Sequence, residues 1–455
     1  MRASFQPMAG PVGIPVPSPD EMTVAELAAF NLRLYHATLL AGRALAAFGP
    51  TLGDVAPRAI LVRSVHSLIS QSGLLHARLL QMRVHPERLG QPAPASAAVV
   101  CGLLGVNDPQ RAVAFGRNLL ERLADLLTAV RDGCRSEHTY HDRRLYDACL
   151  DEVRAGLAPY EPHPHDPEGP GELPTPETYR DLGTETLLRA PAILGPSRTP
   201  TGTTPLPVPP CPERAYPQWA RFTGVKNPDF RDPTAGASAR EIVLHALRKG
   251  IATEFISTDV PLRNLADFPD MPLQFYLDMS RHAHDELRHT HLLLDHLTAL
   301  GEDYRQVTFR NPDTYRAMAD QPLDYRLVVL SRTGEDAAIE VLSQAVPKLR
   351  ASGYSEVATM FDHVLADELR HVAYANHWLR HLHGDDQAVE QATTRCLERL
   401  NARVDELELG EFMRRETDHA ARRGRRNADL ELRELAGFSD YDLARMQAAG
   451  DGGRA

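Results

Sequence analysis

The chain has 455 residues with 50 basic and 61 acidic side chains, a net charge of −11. That balance argues against a general nucleic-acid binder or a protein held on anionic membranes. The longest apolar stretch, near 97–106, is too short to span a bilayer, and the first residues lack the apolar core of a signal peptide. Five cysteines at irregular spacing, with no CxxC pair, exclude a disulfide scaffold and a zinc ribbon and suggest a reduced, cytoplasmic setting.

In chain order, Thr23 and Glu26 form a T-x-x-E capping-box pattern ahead of an apolar-periodic segment that ends near Phe48. Further helices are expected at about 55–84, 108–133 and 138–157, giving a helical domain over 1–158. Residues 159–233 hold 18 of the 35 prolines, which breaks long helices and suggests an extended connection over 159–235. Ser238 and Glu241 make a second capping-box pattern. Helices are expected at about 238–264, 271–300, 323–350 and 355–383, forming a second domain over 236–385. A helical extension over 386–455 follows, with helices at about 386–420 and 428–448. The predicted fold class is all-α.

The pentapeptide Asp-Glu-Leu-Arg-His occurs twice, at 285–289 and 367–371. Each copy contains Glu-x-x-His, and residues three apart share one helical face. Glu286 with His289, and Glu368 with His371, therefore present a carboxylate and an imidazole together. A lone Glu-x-x-His is weak: Glu416 and His419 also satisfy it, beside a run of arginines. The repeat extends upstream. Gly250-Ile-Ala-Thr-Glu254, with Pro261 seven residues on, matches Asp336-Ala-Ala-Ile-Glu340, with Pro347 seven residues on. Glu254 precedes Glu286 by 32 residues and Glu340 precedes Glu368 by 28, gaps that suit antiparallel helix pairs. Glu335 competes with Glu340, since it stands 33 residues before Glu368. The repeat favours Glu340, because Lys249 occupies the place corresponding to Glu335.

Two halves that each supply Glu plus Glu-x-x-His resemble the ferritin-like di-iron carboxylate superfamily, a four-helix bundle with a twofold internal repeat. The Asp-Glu-x-Arg-His form is similar to its oxygen-activating members, among them ribonucleotide reductase small subunits and bacterial multicomponent monooxygenases. The resemblance covers about 238–383. It implies metal ligands Glu254, Glu286, His289, Glu340, Glu368 and His371, with two iron ions between them and an Mn/Fe pair left open. Four carboxylates balance two divalent cations, and carboxylate and imidazole donors suit iron or manganese. By the same resemblance Asp285 and Asp367 hold the ligand imidazoles, paired with Arg288 and Arg370. His282 lies four residues before Glu286 and is a candidate extra ligand, as in some di-iron N-oxygenases.

The first domain resembles a ferritin-like bundle that has lost its metal. Ser72-Gly73-Leu74-Leu75-His76 and Asp151-Glu152-Val153-Arg154-Ala155 stand where the two motifs would fall. The function implied for the whole chain is a non-haem di-iron oxidase or oxygenase. It would act with O2 on a small organic substrate, by hydroxylation, desaturation or N-oxygenation. Electrons would come from an external reductase or ferredoxin, since the chain carries no obvious flavin or iron–sulfur motif. The alternative is a ferroxidase or other iron- or manganese-handling protein. A homodimer stays open.

Overall fold

The computed structural model describes residues 8–9, 15–16, 18–53, 55–86, 89, 109–158, 221–223, 236–303, 308–310, 314–407 and 429–451. Among them the fold is all-α. The strands among these residues are short: β1 (Met8–Ala9) pairs antiparallel with β2 (Pro15–Val16), and β3 (Arg221–Thr223) pairs in parallel with β4 (Thr308–Arg310). No helix among the described residues is long and apolar enough to cross a membrane. Apart from Arg221–Thr223, the proline-rich connection expected over 159–235 lies outside the described residues. So does the arginine run at 422–426.

The chain forms two compact units, and neither is continuous. The first contains Met1–Pro217 and Leu262–His284; the second contains Gln218–Pro261 and Asp285–Ala455. Cuts read from the sequence at 158, 235 and 385 follow composition, whereas these units follow contacts.

The first unit is built on α1 (Val24–Ala46), α2 (Val55–Gln81), α3 (Pro109–Gly133) and α4 (Tyr140–Leu157). The expected capping box starts α1: Glu26 Oε2 accepts from the Thr23 amide at 2.8 Å, and Thr23 Oγ1 accepts from the Glu26 amide at 3.3 Å. Helix α2 packs against α1, α3 and α4 around Leu32, Leu61, Leu68, Phe115, Leu119 and Val153, all essentially inaccessible to solvent. Gly156 lets α4 approach closely, because a Cβ there would lie 2.8 Å from Ser67 Cβ. Ser67 uses that proximity to donate to the Glu152 carbonyl at 2.8 Å. The segment after Leu262 joins this unit through specific contacts. Arg43 donates from Nε to the Leu265 carbonyl at 2.9 Å and lies over the Tyr276 ring. His66 stacks on His284 with 4.7 Å between ring centroids.

The second unit begins with α5 (Ala239–Ser257), and α6 (Asp259–Asp267) falls mostly in the part of the chain that belongs to the first; together they replace the single helix expected over 238–264. Pro261 lacks an amide hydrogen and is accommodated best in a first turn, and the helix restarts just before it. Then come α7 (Leu273–Ala299), α8 (Thr314–Met318) and α9 (Leu323–Leu327). Helix α9 runs into a π-helical stretch at Val328–Glu335 and on into α10 (Asp336–Ala351). The Asp336 amide reaches back to the Ser331 carbonyl, the i to i−5 bond of a π turn. Helices α11 (Ser355–His383) and α12 (Asp386–Glu406) follow, then the short α13 (Leu430–Leu435) and α14 (Asp440–Asp451). Residues α11 and α12 share with the π stretch complete the packing of this unit.

In the first unit, Arg78 holds the buried Asp142 through two hydrogen bonds, 2.8 and 2.6 Å long. Asp142→Ala removes both and leaves a partly buried guanidinium without its partner. The expected loss is about 1.5–3 kcal/mol, read as a lower midpoint in denaturant unfolding of the full chain.

Candidate metal centre

Four helical stretches bring ligand-type side chains together. Helix α5 supplies Glu254, and α7 supplies His282, Glu286 and His289. The π stretch supplies Glu335, and α11 supplies Glu368 and His371. One ligand atom from each of Glu254, Glu286, His289 and Glu368 lies within 4.8 Å of the others. The same holds for His282, Glu286, Glu335 and His371. Glu286 belongs to both groups. These clusters of Glu and His can hold a metal ion.

The spacing within the first group is informative. His289 Nδ1 lies 3.7 Å from Glu254 Oε2, 4.0 Å from Glu286 Oε2 and 3.8 Å from Glu368 Oε1. It is buried and makes no hydrogen bond, and neither does Glu368 Oε2. These separations are too long for hydrogen bonds. They leave the donors facing one another without direct bonds, a spacing open to a cation between them. In the second group His371 Nδ1 is 3.0 Å from Glu286 Oε1, and it lies 3.7 Å from Glu368 Oε2. Both imidazoles thus turn Nδ1 toward the carboxylates.

Their other nitrogens meet the motif aspartates in a crossed arrangement. His289 Nε2 lies 3.2 Å from Asp367 Oδ2, and His371 Nε2 lies 3.7 Å from Asp285 Oδ2. Each aspartate therefore faces the histidine of the opposite helix, Asp367 within hydrogen-bond reach and Asp285 just beyond it. A carboxylate that accepts from Nε2–H leaves the Nδ1 lone pair free for a cation. Arg288 donates to Asp367 and stands 3.8 Å from Asp285, so one guanidinium attends both aspartates. Arg370 does not share the expected role: it is exposed and forms no ion pair among the described residues.

Glu340, expected as the third-helix ligand, is not in either group. Its carboxylate is 3.7 Å from the buried Arg433 guanidinium, and Glu335 stands in the cluster instead. The π stretch is the physical reason. An added residue in one turn rotates everything after it by about 100°, so Glu335 at its end and Glu340 beyond it cannot share the register an unbroken α-helix implies. The discriminating signal was in the spacing: Glu335 precedes Glu368 by 33 residues, close to the 32 from Glu254 to Glu286, whereas Glu340 precedes it by 28. His282 is buried and joins the second group. Glu416 and His419 lie outside the described residues.

The electrostatics of a chain stripped of metal follow from this crowding. Burial disfavours charge on His289, but Asp367, Glu254 and Glu286 outweigh it and raise its pKa to about 10. Burial is likewise outweighed at His371 by Asp285, Glu368 and Glu335, and its pKa also rises to about 10. Burial, with the charges of Glu254 and Glu335, lifts Glu368 to about 7 against the pull of His371. Glu254 moves the other way: burial opposes its charge, yet the neighbouring Glu286, His289 and His371 together hold it below the usual range. Without a cation the carboxylates are neutralised by protons on the imidazoles.

The profile of a family described as a protein of unknown function, DUF455, matches residues 196–444. The match spans more than half of the chain and every donor named above, and the chain belongs to that family. No curated protein matches the chain, and no solved structure does.

The folded metal-free chain binds these protons more tightly than the unfolded chain does, which sets a pH dependence. The stability from Glu368 is complete below its ordinary 4.5 and is lost toward 7. That from His289 and His371 is complete below 6.5 and is lost toward 10. The thermal midpoint of chelator-treated protein therefore falls from pH 6.5 to 10. Metal-loaded protein, whose imidazoles bind the cation in place of protons, shows a flatter profile over that range.

Proposed function

From membership of a family whose description assigns no activity, and from the geometry of the cluster, we propose that the chain is a ferritin-like, oxygen-activating di-iron oxidase or oxygenase. It acts on a small organic substrate with O2. The observation that carries this reading is the pair of donor groups joined at Glu286. Together they contain Glu254, Glu286, Glu335 and Glu368, whose four negative charges equal the charge of two ferrous ions. Paired Glu-x-x-His helices are the donor pattern of ferritin-like di-iron proteins, and both pairs lie in the second unit.

Glu286 would bridge the two positions. Glu254, Glu368 and His289 would complete one, and Glu335, His371 and His282 the other. Three imidazoles beside four carboxylates favour a metal that is retained over one in transit to a store, which supports the oxygenase over the ferroxidase alternative. When bound, a ferrous pair supplies electrons to O2 within reach of substrate. Asp367 and Asp285 orient His289 and His371, and Arg288 stands beside both aspartates. Burial of the other donors excludes water, while the Glu254 side chain is 14 % exposed and marks the side from which a small molecule enters. In a hydroxylation, one oxygen atom is inserted into a C–H bond and the other leaves as water. Two electrons come from that bond and two, with two protons, from an external donor such as a ferredoxin or reductase.

Two measurements test this. Anaerobic loading gives two ferrous ions per wild-type chain, one for Glu335→Gln and two for Glu340→Gln, counted by elemental analysis. On admission of labelled O2 with a reductant, an oxygen atom appears in a product when candidate amines, acids and hydrocarbons are supplied. Iron that only oxidises and mineralises, with no organic product, would contradict the oxygenase and favour metal handling.

A further inference from the structure

Glu335 stands on a π stretch, a rare helix form found mostly as single turns within α-helices. The residues on either side of it are both held by the last described segment of the chain. Arg332 is buried, donates from Nη2 to Asp442 Oδ1 at 2.7 Å and donates to the Asn376 side chain. Its guanidinium also lies 4.8 Å from the centre of the Phe438 ring. Asp336, the residue after Glu335, accepts from Arg433 at 3.0 and 3.2 Å. Asn376 in turn donates to the Ala436 carbonyl at 2.8 Å, and Arg380 to the Gly437 carbonyl at 2.6 Å. Ile339, Val372, Ala436 and Phe438 form one apolar cluster beneath these bonds.

Asp442 has two tasks. Its Oδ2 accepts from the Ser439 amide and hydroxyl at the start of α14, while Oδ1 is left for Arg332. Arg433 has a second effect as well, since it lies beside Glu340 and draws that carboxylate away from the donor cluster. The segment therefore acts on both candidates for one ligand position: it brackets Glu335 and occupies Glu340.

We propose that the 430–451 segment is a positioning device for the metal position that contains Glu335. Arg332, Asp442 and Arg433 fix the π turn so that the Glu335 carboxylate meets Glu286 and His371. This rests on the di-metal reading and adds that the two positions depend unequally on the end of the chain. The position built by Glu254, His289 and Glu368 touches none of these three residues and is indifferent to them. The one with Glu335 weakens when they are lost, by the tenfold or so that outer partners of metal ligands contribute.

The test uses full-length protein and cobalt(II), titrated anaerobically and followed by visible absorption, with wild type, Asp442→Asn, Arg332→Lys, Glu335→Gln and the Asp442→Asn, Glu335→Gln double variant. Wild type binds two equivalents. Asp442→Asn binds the first as wild type does and the second about tenfold more weakly, and the double variant is no weaker than Glu335→Gln alone. Arg332→Lys keeps the charge but is too short to reach both Asn376 and Asp442, and it repeats the selective loss if Asp442→Asn does not fold. A merely structural role would lower both affinities together, or lower the thermal midpoint and leave both affinities intact; either result overturns the proposal. Wild type that binds fewer than two equivalents overturns the di-metal reading itself.

Discussion

Four carboxylates in a buried space repel one another, and taking each out of water costs several kcal/mol. The chain accepts that cost at one place, where Glu254, Glu286, Glu335 and Glu368 converge with His282, His289 and His371. Its helices serve to deliver those side chains. Glu286 and His289, like Glu368 and His371, sit one turn apart on α7 and α11, so each helix needs only one orientation to present two donors. Charge must then be balanced by protons or by cations. Protons raise the imidazoles far above their usual range, while two divalent ions would match the carboxylates without moving any proton onto them. Around His289 Nδ1 the carboxylates stand 3.7–4.0 Å away, beyond hydrogen-bond reach.

The same constraint explains the residues around the cluster. Asp285 and Asp367 cross over to the histidine of the facing helix, so the two motifs depend on each other and cannot be moved separately. Arg288 sits between the aspartates and pairs with Asp367. On the other flank, buried Arg332 and Arg433 tie the π stretch to the last two helices. Charged groups placed this far inside a protein are expensive unless each has a fixed partner, and here each partner also fixes the backbone beside a candidate ligand.

Much of this was legible in the sequence. The doubled Asp-Glu-Leu-Arg-His motif located α7 and α11 and four of the donors, because a three-residue spacing has one meaning on a helix. The capping boxes at Thr23 and Ser238 marked helix starts to within a residue or two. What escaped was any feature that depends on departure from ideal geometry. Pro261 broke a helix that periodicity alone would continue. A π turn carries no strong local signature, so the internal repeat pointed to Glu340, where an unbroken α-helix would have put the ligand. Arg370 repeats Arg288 in sequence but not in environment, since one arginine already reaches both aspartates. The association of 262–284 with the first helices rests on Arg43, Gly73 and His66, contacts too distant in sequence for any local pattern to show.

The central claim is that these donors surround two adjacent cations bridged by Glu286. Crystals of iron-loaded protein, measured on both sides of the iron absorption edge, test it most directly. Two anomalous peaks about 3.5–4 Å apart are expected, with Glu286 between them, Glu335 on one and Glu254 on the other. A single peak, or iron at Glu340 with Glu335 uncoordinated, would contradict it.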